Sequence, residues 1–370
     1  MKTLALKHRQ GICNIHIGNH IIENELLLQA CHPLANHFVI ISDSNVAPLY
    51  AEPILNQLEK ANKKCELFTI TAGEKSKTRE VKQTLEDNML AAACGRDTAI
   101  IAIGGGVVTD LSGFIAATYC RGIKSIYVPT TLLAMVDAAI GGKTAVNTPL
   151  GKNMIGCFYQ PHHVFCDVGT LATLPHDELA NGLVETIKHA LILDKDFFFA
   201  LDKLYTQKQL SAVQLEQLIH RSCEIKCGVV EKDECEISGM RQLVNFGHTV
   251  AHGIERLMDY NVSHGQAVLI GLWVESCLSN LLGYLSDQEF ACITNSLEKI
   301  KFSKPIDLSI HQLDQLKENM ILDKKSVGKQ ARFVLLDNIG KARYHDKQFS
   351  FSVPEKIVDK AFILYLEVNQ

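Results

Sequence analysis

The first half of the chain alternates short apolar runs with stretches in which apolar residues recur at helical spacing. The pattern predicts strands at 38–41, 65–70, 98–103 and 125–128, and helices at 46–61, 79–93 and 110–118. The run 98–103 is apolar after its first threonine, which is typical of a strand buried on both faces of a parallel sheet. This alternation of strands and helices predicts an open α/β sheet.

The pattern changes at about Pro175, where strand signals become rare. Apolar residues at helical spacing predict helices at 177–193, 211–230, 242–258 and 265–282, and later only 331–336 is β-like. A chain of 370 residues exceeds what one hydrophobic core usually serves. We therefore expect an α/β domain at 1–170, with a variant Rossmann-like open parallel sheet, and a mainly α-helical domain at 171–370.

Composition narrows the range of partners. Charged residues make up 21% of the chain and the formal net charge is −4, which argues against a broad basic surface for nucleic acid. No apolar run approaches the roughly 20 residues that span a bilayer, and the first residues lack the features of a signal peptide. Twelve cysteines are scattered without a C-x-x-C motif, so we expect reduced thiols. These features favour a cytoplasmic protein with neither nucleic acid nor a membrane as its partner.

A run of three glycines, Gly104, Gly105 and Gly106, follows the apolar strand and precedes a predicted helix. Glycines let the backbone approach a diphosphate closely, and the N–H groups at a helix start attract its charge. The fingerprint G-x-G-x-x-G is incomplete, because Thr109 stands where the third glycine belongs. The acidic residue that would hold a ribose is Asp43, at the end of an earlier strand. The motif predicts a dinucleotide site in a variant arrangement, and the alternative is a tight turn without a ligand.

Three histidines and one glutamate are candidates for a metal site. His248 and His252 are four residues apart on one predicted helix, a spacing common for metal pairs, and His264 begins the next helix. Glu185 lies on an otherwise apolar helix, where a buried carboxylate needs a partner. Two imidazoles and a carboxylate leave coordination positions open, as a catalytic zinc requires. The spacing does not choose between His252 and His264, and a structural role for each histidine is the alternative.

A long, weakly periodic segment at 129–156 and several later positions carry cations and polar side chains. Long loops in compact domains often carry function. The residues concerned are Asp137, Lys143, Lys152, Asn153, Lys188, Lys226, Arg241, Lys324 and Lys325. Each lysine alone is most simply a solvated surface charge. Near a metal and a dinucleotide, the set suits an anionic substrate with carboxylate and phosphate groups.

Taken together, these stretches strongly resemble the 3-dehydroquinate synthase family. The resemblance runs from Asp43 to about Leu336 and is carried by 104–110, Arg121 with Gly122, 128–156, 181–188 and 241–264. It implies an NAD- and metal-dependent lyase of the sugar phosphate cyclase group, in the shikimate pathway of aromatic amino acid biosynthesis. The implied reaction converts 3-deoxy-D-arabino-heptulosonate 7-phosphate to 3-dehydroquinate plus phosphate. Its steps would be transient oxidation, phosphate β-elimination, re-reduction, ring opening and intramolecular aldol closure.

The resemblance also implies a role for individual residues. The ligands of Zn²⁺ or Co²⁺ would be Glu185, His248 and His264, so that His252 faces the substrate. The implied NAD contacts are Asp43, Asn45, Glu74, Lys77, Gly105, Gly106, Val107, Asp110, Thr130, Thr131, Lys143, Lys152, Thr170 and Thr173. The implied catalytic and substrate-binding residues are Asp137, Lys143, Lys152, Asn153, Lys188, Lys226, Arg241, Asn245, His252 and Lys324. Arg121 would reach the site of a neighbouring subunit, which implies a homodimer.

Departures from the family pattern are mild, and other functions are weighed beside it. Thr109 replaces a common glycine, Ala139 a common serine, and Gln266 a common glutamate that could affect how His264 is oriented. An NAD- and metal-dependent polyol dehydrogenase of the same architecture would not need the cluster of cations. A related cyclase whose sugar phosphate lacks the carboxylate is disfavoured by Arg241, Asn245 and His252. A nucleotide-binding regulator without catalysis would not need the metal candidates.

Overall fold

A computed structural model describes residues 1–207, 209–321 and 330–369. The chain forms two compact units, Met1–Leu174 together with Ser211–Cys227, and Pro175–Leu210 together with Gly228–Gln370. Unlike the predicted domains 1–170 and 171–370, these units are not contiguous in sequence, because Ser211–Cys227 packs with the first unit.

The first unit contains a large sheet, a separate hairpin and surrounding helices. Its strands are β1 (Lys2–His8), β2 (Gly11–Gly18), β3 (His37–Asp43), β4 (Lys64–Ile70), β5 (Thr98–Gly104), β6 (Lys124–Pro129), β7 (Lys143–Thr148), β8 (Gly151–Phe158) and β9 (His163–Asp167). Its helices are α1 (Glu25–Cys31), α2 (Glu52–Lys60), α3 (Arg79–Ala91) and α4 (Gly106–Thr118).

Seven strands form the large sheet in the order β1-β2-β9-β6-β5-β3-β4, and only the pair β1–β2 is antiparallel. Every residue of β5 is buried, as expected for a central strand covered on both faces. This confirms the predicted open, mainly parallel sheet. The chain places β4 on one side of β3 and β5 on the other, so the strand order reverses at β3. Ligands of open α/β sheets bind at the carboxyl ends of the strands beside such a reversal.

The prediction of a loop at 129–156 was wrong in part, because this segment contains regular structure. A π-helical turn spans Ala134–Ala138, and β7 pairs with β8 as an antiparallel hairpin, with Lys143 opposite Phe158. Glycines and small polar residues hide the alternation of this hairpin. An added Cβ at Gly156 would lie 1.9 Å from the carbonyl oxygen of Thr144 on the facing strand, so the hairpin needs the glycine that obscures its pattern.

The second unit is mainly helical, as predicted. Its helices are α5 (His176–Leu193), α6 (Lys195–Leu204), α8 (His248–Leu257), α9 (His264–Leu281), α10 (Asp287–Leu297), α11 (Leu313–Ile321) and α12 (Glu355–Asn369), with α7 (Ala212–Lys232) divided between the units. A short hairpin is formed by β10 (Leu336–Asn338) and β11 (Lys341–Ala342).

Two predictions for the second unit need correction. The helix predicted at 242–258 is interrupted, because a 3₁₀ turn at Met240–Asn245 precedes α8 and Gly247 lies between them with φ of +79°. That backbone conformation ends one helix and lets the next begin in a new direction. The strand predicted at 331–336 is reduced to Leu336 at the start of β10 and an isolated bridge between Phe333 and Phe351.

Two expectations about chemistry can be compared with the described residues. None of the twelve cysteines forms a disulfide, which agrees with the expectation of reduced thiols. None of the helices in the described ranges is long and apolar enough to cross a membrane.

Helices α5, α8 and α9 approach one another closely at two glycines. A Cβ added at Gly271 of α9 would lie 1.9 Å from the carbonyl oxygen of Gly247, just before α8. One added at Gly265 would lie 2.6 Å from the Cα of Asn181 on α5, whose side chain accepts a hydrogen bond from the Gly265 N–H at 3.1 Å. The helices can therefore meet at these distances only with glycine at both positions.

The substitution Gly271→Ala should destabilise the protein. The new methyl group would overlap backbone that cannot move as a side chain does, so we expect a loss of about 1–3 kcal/mol in the free energy of unfolding, toward the upper end of the usual range for overpacking. Urea unfolding of the variant and the wild type measures the difference.

Gly228→Ala in α7 is the matched control, since a Cβ there meets nothing within 4 Å. Alanine is the better helix former, so this variant should be as stable as the wild type or more stable by about 0.5–1 kcal/mol. Equal stability of the two variants would contradict the close approach of α8 and α9.

Candidate active site

The carboxyl edge of the parallel sheet gathers several of the predicted NAD contacts. Asp43 ends β3, Gly105 follows β5, Thr130 follows β6, and Thr170 follows β9. These four strands are neighbours in the sheet and parallel, so their carboxyl ends lie along one edge. The structure thus brings together residues that the sequence spreads over more than a hundred positions.

The glycine turn fits tightly into this edge. Gly105 precedes the first turn of α4, and a Cβ there would lie 3.1 Å from Cγ2 of Thr131. At Gly106 a Cβ would lie 3.2 Å from Cβ of Ala138. The glycines therefore allow the loop after β6 to pack against the start of α4, where backbone N–H groups lack helical partners and attract anions.

Local hydrogen bonds hold the loops that carry Asp43, Thr170 and Thr173. Oδ1 of Asp43 accepts from the N–H groups of Asn45 at 2.9 Å and Val46 at 3.1 Å. The hydroxyl of Thr173 lies 2.7 Å from that of Tyr50, which also donates to the carbonyl of Thr170 at 3.3 Å. Each of these loops is thus fixed near its strand end.

Lys77 is buried and lies at the centre of a partly exposed polar network. Its ammonium contacts the carboxylate of Asp110 on α4 and donates to Oδ1 of Asn153 at 2.6 Å. Burial raises the pKa of Asp110, and the adjacent Lys77 opposes that shift. Asn147 links the same group, since it donates to Glu74 at 2.7 Å and accepts from the Asn153 N–H at 3.0 Å. Sequence reasoning missed Asn147, whose residue type gives no signal on its own.

Other predicted cations of the first unit take different positions. Lys226 of α7 forms an ion pair with Asp137 in the π-helical turn. Lys143 begins β7 with an exposed side chain, and Lys152 is half-buried on β8. Arg121 is exposed in a turn where Cys120, Arg121 and Gly122 all have positive φ values of 48°, 65° and 113°. Such a conformation in two non-glycine residues is unusual and fixes the direction of the turn.

The second unit brings together Glu185 of α5, His248 of α8 and His264 of α9. Oε1 of Glu185 lies 3.2 Å from Nε2 of His264 and 3.6 Å from Nε2 of His248, and one ligand atom from each of the three lies within 4.8 Å of the others. With metal–ligand distances of about 2.0–2.1 Å, two ligands of a tetrahedral zinc are about 3.3 Å apart. The donor set and its spacing therefore fit a zinc or cobalt ion.

Charges around this triad are largely removed from water. Glu185 is fully buried and its second carboxylate oxygen contacts the ammonium of Lys188, also fully buried and one turn further along α5. Burial alone would lower the pKa of His264, but hydrogen bonds that its ring donates to the carboxylates of Glu185 and Glu255 raise it to about 10. A metal ligand must instead offer a neutral nitrogen, so a bound cation would take the place of that proton.

Each imidazole has a second contact on its other nitrogen. Nδ1 of His248 lies 3.1 Å from the carbonyl oxygen of Phe246, and Nδ1 of His264 lies 3.4 Å from Oε1 of Glu255. In both rings Nε2 is left to face Glu185. Outer contacts of this kind orient metal-binding histidines. Sequence reasoning missed Glu255, because a glutamate near the end of a helix is most simply a surface residue.

His252 does not join this group, although its spacing made it a candidate. Its ring centroid is 5.6 Å from that of His248, with the two ring planes at 89°, and its side chain is half-buried. The i, i+4 spacing places it beside the triad on α8. This position agrees with the family-based expectation that His252 faces the substrate, which stays a prediction.

Arg241 and Asn245 lie in the 3₁₀ turn that precedes α8. Arg241 is 1% exposed, and its guanidinium donates to the carbonyl of Glu234 at 2.5 Å. The carboxylate of Asp233 organises the loop that leads into this turn. It accepts hydrogen bonds from the backbone N–H groups of Ile237, Ser238 and Arg241 at 2.7, 3.0 and 3.1 Å. Lys324, predicted to contact the substrate, lies outside the described residues.

Comparison with known proteins places this chain in one family. The family model described as 3-dehydroquinate synthase N-terminal matches residues 67–181, and the one described as 3-dehydroquinate synthase C-terminal matches residues 182–326. The chain belongs to the 3-dehydroquinate synthase family. It is an enzyme of the shikimate pathway with the activity of that family.

Individual relatives agree. A 3-dehydroquinate synthase of Desulforamulus reducens is 42% identical over 88% of this chain and 91% of its own length. One of Nitrosococcus oceani is 41% identical over 98% of this chain and 100% of its own.

Two solved sugar phosphate cyclases share the fold at 26% identity. A 2-deoxy-scyllo-inosose synthase in complex with carbaglucose-6-phosphate, NAD⁺ and Co²⁺ matches with a TM-score of 0.88 over 97% of this chain and 99% of its own. A 2-epi-5-epi-valiolone synthase of Streptomyces hygroscopicus subsp. jinggangensis, with NAD⁺ and Zn²⁺ bound, matches with a TM-score of 0.85 over 99% of each chain.

Replacement of Asp233 by asparagine should reduce stability in a pH-dependent way. Burial alone would raise the pKa of Asp233, but its backbone N–H partners hold the pKa below the usual value of 3.8. A depressed pKa means that the carboxylate stabilises the fold above about pH 4 and that this contribution is lost as the pH falls through the folded value. The wild type should therefore exceed Asp233→Asn in free energy of unfolding at pH 7, and the gap should narrow at pH 3.

Urea unfolding at the two pH values measures that gap. Asp314→Asn on α11 is the control, because its side chain is 94% exposed and its ion pair with Lys317 should contribute little. A gap for Asp233→Asn that is equally large at pH 3 would show that the carboxylate charge is not what holds the loop.

Proposed function

We propose that this chain carries out the family reaction, 3-deoxy-D-arabino-heptulosonate 7-phosphate to 3-dehydroquinate plus phosphate, with NAD at the carboxyl edge of the sheet and Zn²⁺ or Co²⁺ on Glu185, His248 and His264. The observation that carries the proposal is the convergence of one buried carboxylate and two imidazoles at the spacing of tetrahedral ligands. The solved relatives with NAD⁺ and Co²⁺ or Zn²⁺ support the same pair of cofactors.

When bound, the metal would polarise adjacent substrate hydroxyls and NAD would accept and later return a hydride. The chain's own residues bind and orient the anionic substrate. Lys188 is a fully buried ammonium beside Glu185, so it would place a positive charge next to an anionic substrate bound at the metal. Developing charge in a water-poor environment is stabilised more strongly than in solution.

The division of the cations follows from their chemistry. Arg241 presents a planar, buried guanidinium suited to a carboxylate, and we assign it that role together with Lys226. Lys143, Asn153 and His252 are assigned to the phosphate, with Lys324 as a further candidate outside the described residues. Asp137, paired with Lys226, and Asn245, next to α8, would position these groups.

The NAD contacts follow the loops described above. The proposed set is Asp43, Asn45, Glu74, Lys77, Gly105, Gly106, Val107, Asp110, Thr130, Thr131, Lys143, Lys152, Thr170 and Thr173. Lys77 has a structural partner in Asp110, so its contribution to NAD binding would be through the position of that network as much as by direct contact. A cytoplasmic location is also proposed, because twelve free thiols suit a reducing compartment.

Two other activities predict different outcomes for the same protein. A polyol dehydrogenase would consume NAD as a co-substrate. Its substrate has no carboxylate, so it would not need a buried arginine to bind one. A cyclase acting on a sugar phosphate without a carboxylate would offer the buried Arg241 no acidic group on its substrate.

The purified protein is incubated with the phosphorylated heptulosonate and an amount of NAD far below that of the substrate. It should release one phosphate for each substrate molecule converted. The hydride returns in the same turnover, so no net NADH accumulates. Phosphate is measured colorimetrically and NADH by absorbance. A chelator, omission of NAD, and Glu185→Gln should each bring phosphate release to background.

Steady accumulation of NADH with glycerol or another polyol would overturn this proposal in favour of the dehydrogenase. Equal turnover of a sugar phosphate lacking the carboxylate would favour the related cyclase.

We further propose a homodimer in which Arg121 acts in the site of the neighbouring subunit. Its exposure in a turn fixed by three positive φ values supports a role outside its own unit. Arg121→Ala and Glu185→Gln should then each be inactive alone, while mixed dimers regain one intact site. After subunit exchange at equal amounts, activity should reach about a quarter of the wild type.

The matched control mixes Glu185→Gln with His264→Ala. Both changes lie in the same metal site, so every site of the mixed dimer carries a defect and no activity should return. Absence of recovery in the Arg121 mixture, with dimers verified by light scattering, would show that Arg121 serves its own subunit.

A further inference from the structure

The imidazole of His264 lies between two carboxylates. Nε2 is 3.2 Å from Oε1 of Glu185 and Nδ1 is 3.4 Å from Oε1 of Glu255. The other candidate ligand differs, because Nδ1 of His248 meets the backbone carbonyl of Phe246. One imidazole is thus oriented by a neutral acceptor and the other by an acidic side chain.

Glu255 occupies a costly position for a carboxylate. It is 3% exposed, and it lies in the last turn of α8, where the helix dipole disfavours negative charge. A buried charge is stabilised only by close partners. The imidazole of His264 is such a partner, so the cost of placing Glu255 here is offset by its contact with a candidate metal ligand.

The backbone of His264 is fixed independently of that contact. Ser263 caps α9 by accepting the Gln266 N–H at 3.4 Å, and the Gln266 side chain accepts from the Ser263 N–H at 3.3 Å. The Gln266 amide nitrogen also donates to the carbonyl of Lys304. This side chain stabilises the start of the helix, while Glu255 is the acidic group at the Nδ1 side of the ring.

We infer that Glu255 is a positioning residue of the metal centre, which accepts the Nδ1–H of His264 and thereby holds Nε2 toward the metal. The inference rests on the metal site proposed above. A neutral imidazole carries one proton, and an acceptor at Nδ1 places it there and leaves the lone pair on Nε2. A carboxylate that accepts the Nδ1–H also raises the basicity of Nε2, the nitrogen that would bind the metal.

Glu255→Gln keeps the size of the side chain and removes its charge. Loss of an outer contact to a metal-binding histidine typically costs 10- to 100-fold in metal affinity, and we expect Zn²⁺ affinity to fall by about that factor. The dissociation constant is measured by competition with a chromophoric chelator. The visible absorption of the Co²⁺-loaded protein reports on ligand geometry and should change as well.

Glu289→Gln is the matched control in the same unit. Its carboxylate accepts hydrogen bonds from the Ile339 N–H at 3.2 Å and the Ser286 hydroxyl at 2.8 Å. Like Glu255→Gln, this substitution therefore replaces a hydrogen-bonded carboxylate by a neutral amide. This variant should bind Zn²⁺ as the wild type does. Thermal unfolding of both metal-free variants separates a loss of stability from a loss of affinity.

The outcomes distinguish this inference from the metal site itself. If the wild type binds no Zn²⁺, or Glu185→Gln binds it equally well, the metal site and the role of Glu255 are both overturned. If the wild type binds and Glu185→Gln does not, wild-type affinity in Glu255→Gln overturns the positioning role alone. Should Glu255→Gln not fold, Glu255→Asp takes its place, and an affinity equal to the Glu289→Gln control contradicts the role.

Discussion

The close approach of backbone at two glycines is the constraint on which the candidate metal centre depends. The helix start that carries His264 lies against α5 because Gly265 has no side chain to meet Asn181, and α9 lies against the turn before α8 because Gly271 has none to meet Gly247. Carboxylate and imidazole side chains are too short to bridge wider gaps. Ligands from three separate segments therefore converge only if these contacts form.

Buried charge is the second theme, and it is handled in the same way in both units. Three buried lysines each contact a carboxylate: Lys77 with Asp110, Lys226 with Asp137, and Lys188 with Glu185. Taking one such ion out of water costs several kcal/mol, which a well-placed partner largely offsets. Removal of one partner from such a pair leaves an uncompensated buried charge, so each charge is held in position by the other.

The sequence predicted the parts of this fold that depend on local pattern. Central strands such as β5 were found because both faces are covered, so the run is apolar after its first threonine. The hairpin of β7 and β8 was missed because the strands meet at a position that only glycine, Gly156, can occupy. A single helix was predicted across Gly247 because apolar periodicity does not show a change in helix direction. Spacing within one helix could not choose His264 over His252. The family resemblance did choose His264, and the packing of α9 against α8 is the physical reason that it lies beside Glu185.

The glycine turn shows why a fingerprint can be incomplete while its structural setting is preserved. The third glycine of the usual motif allows a helix to pack closely on its strand, yet here Thr109 is 1% exposed and its hydroxyl donates to the carbonyl of Gly106 at 3.1 Å. The helix therefore accommodates a side chain at this position. Asp43 precedes Gly104 by 61 residues, but β3 and β5 are adjacent, with Ser42 opposite Ile103. Strand order thus brings the acid to the edge where the usual motif would place it by sequence distance, so topology is the better guide to this candidate dinucleotide site.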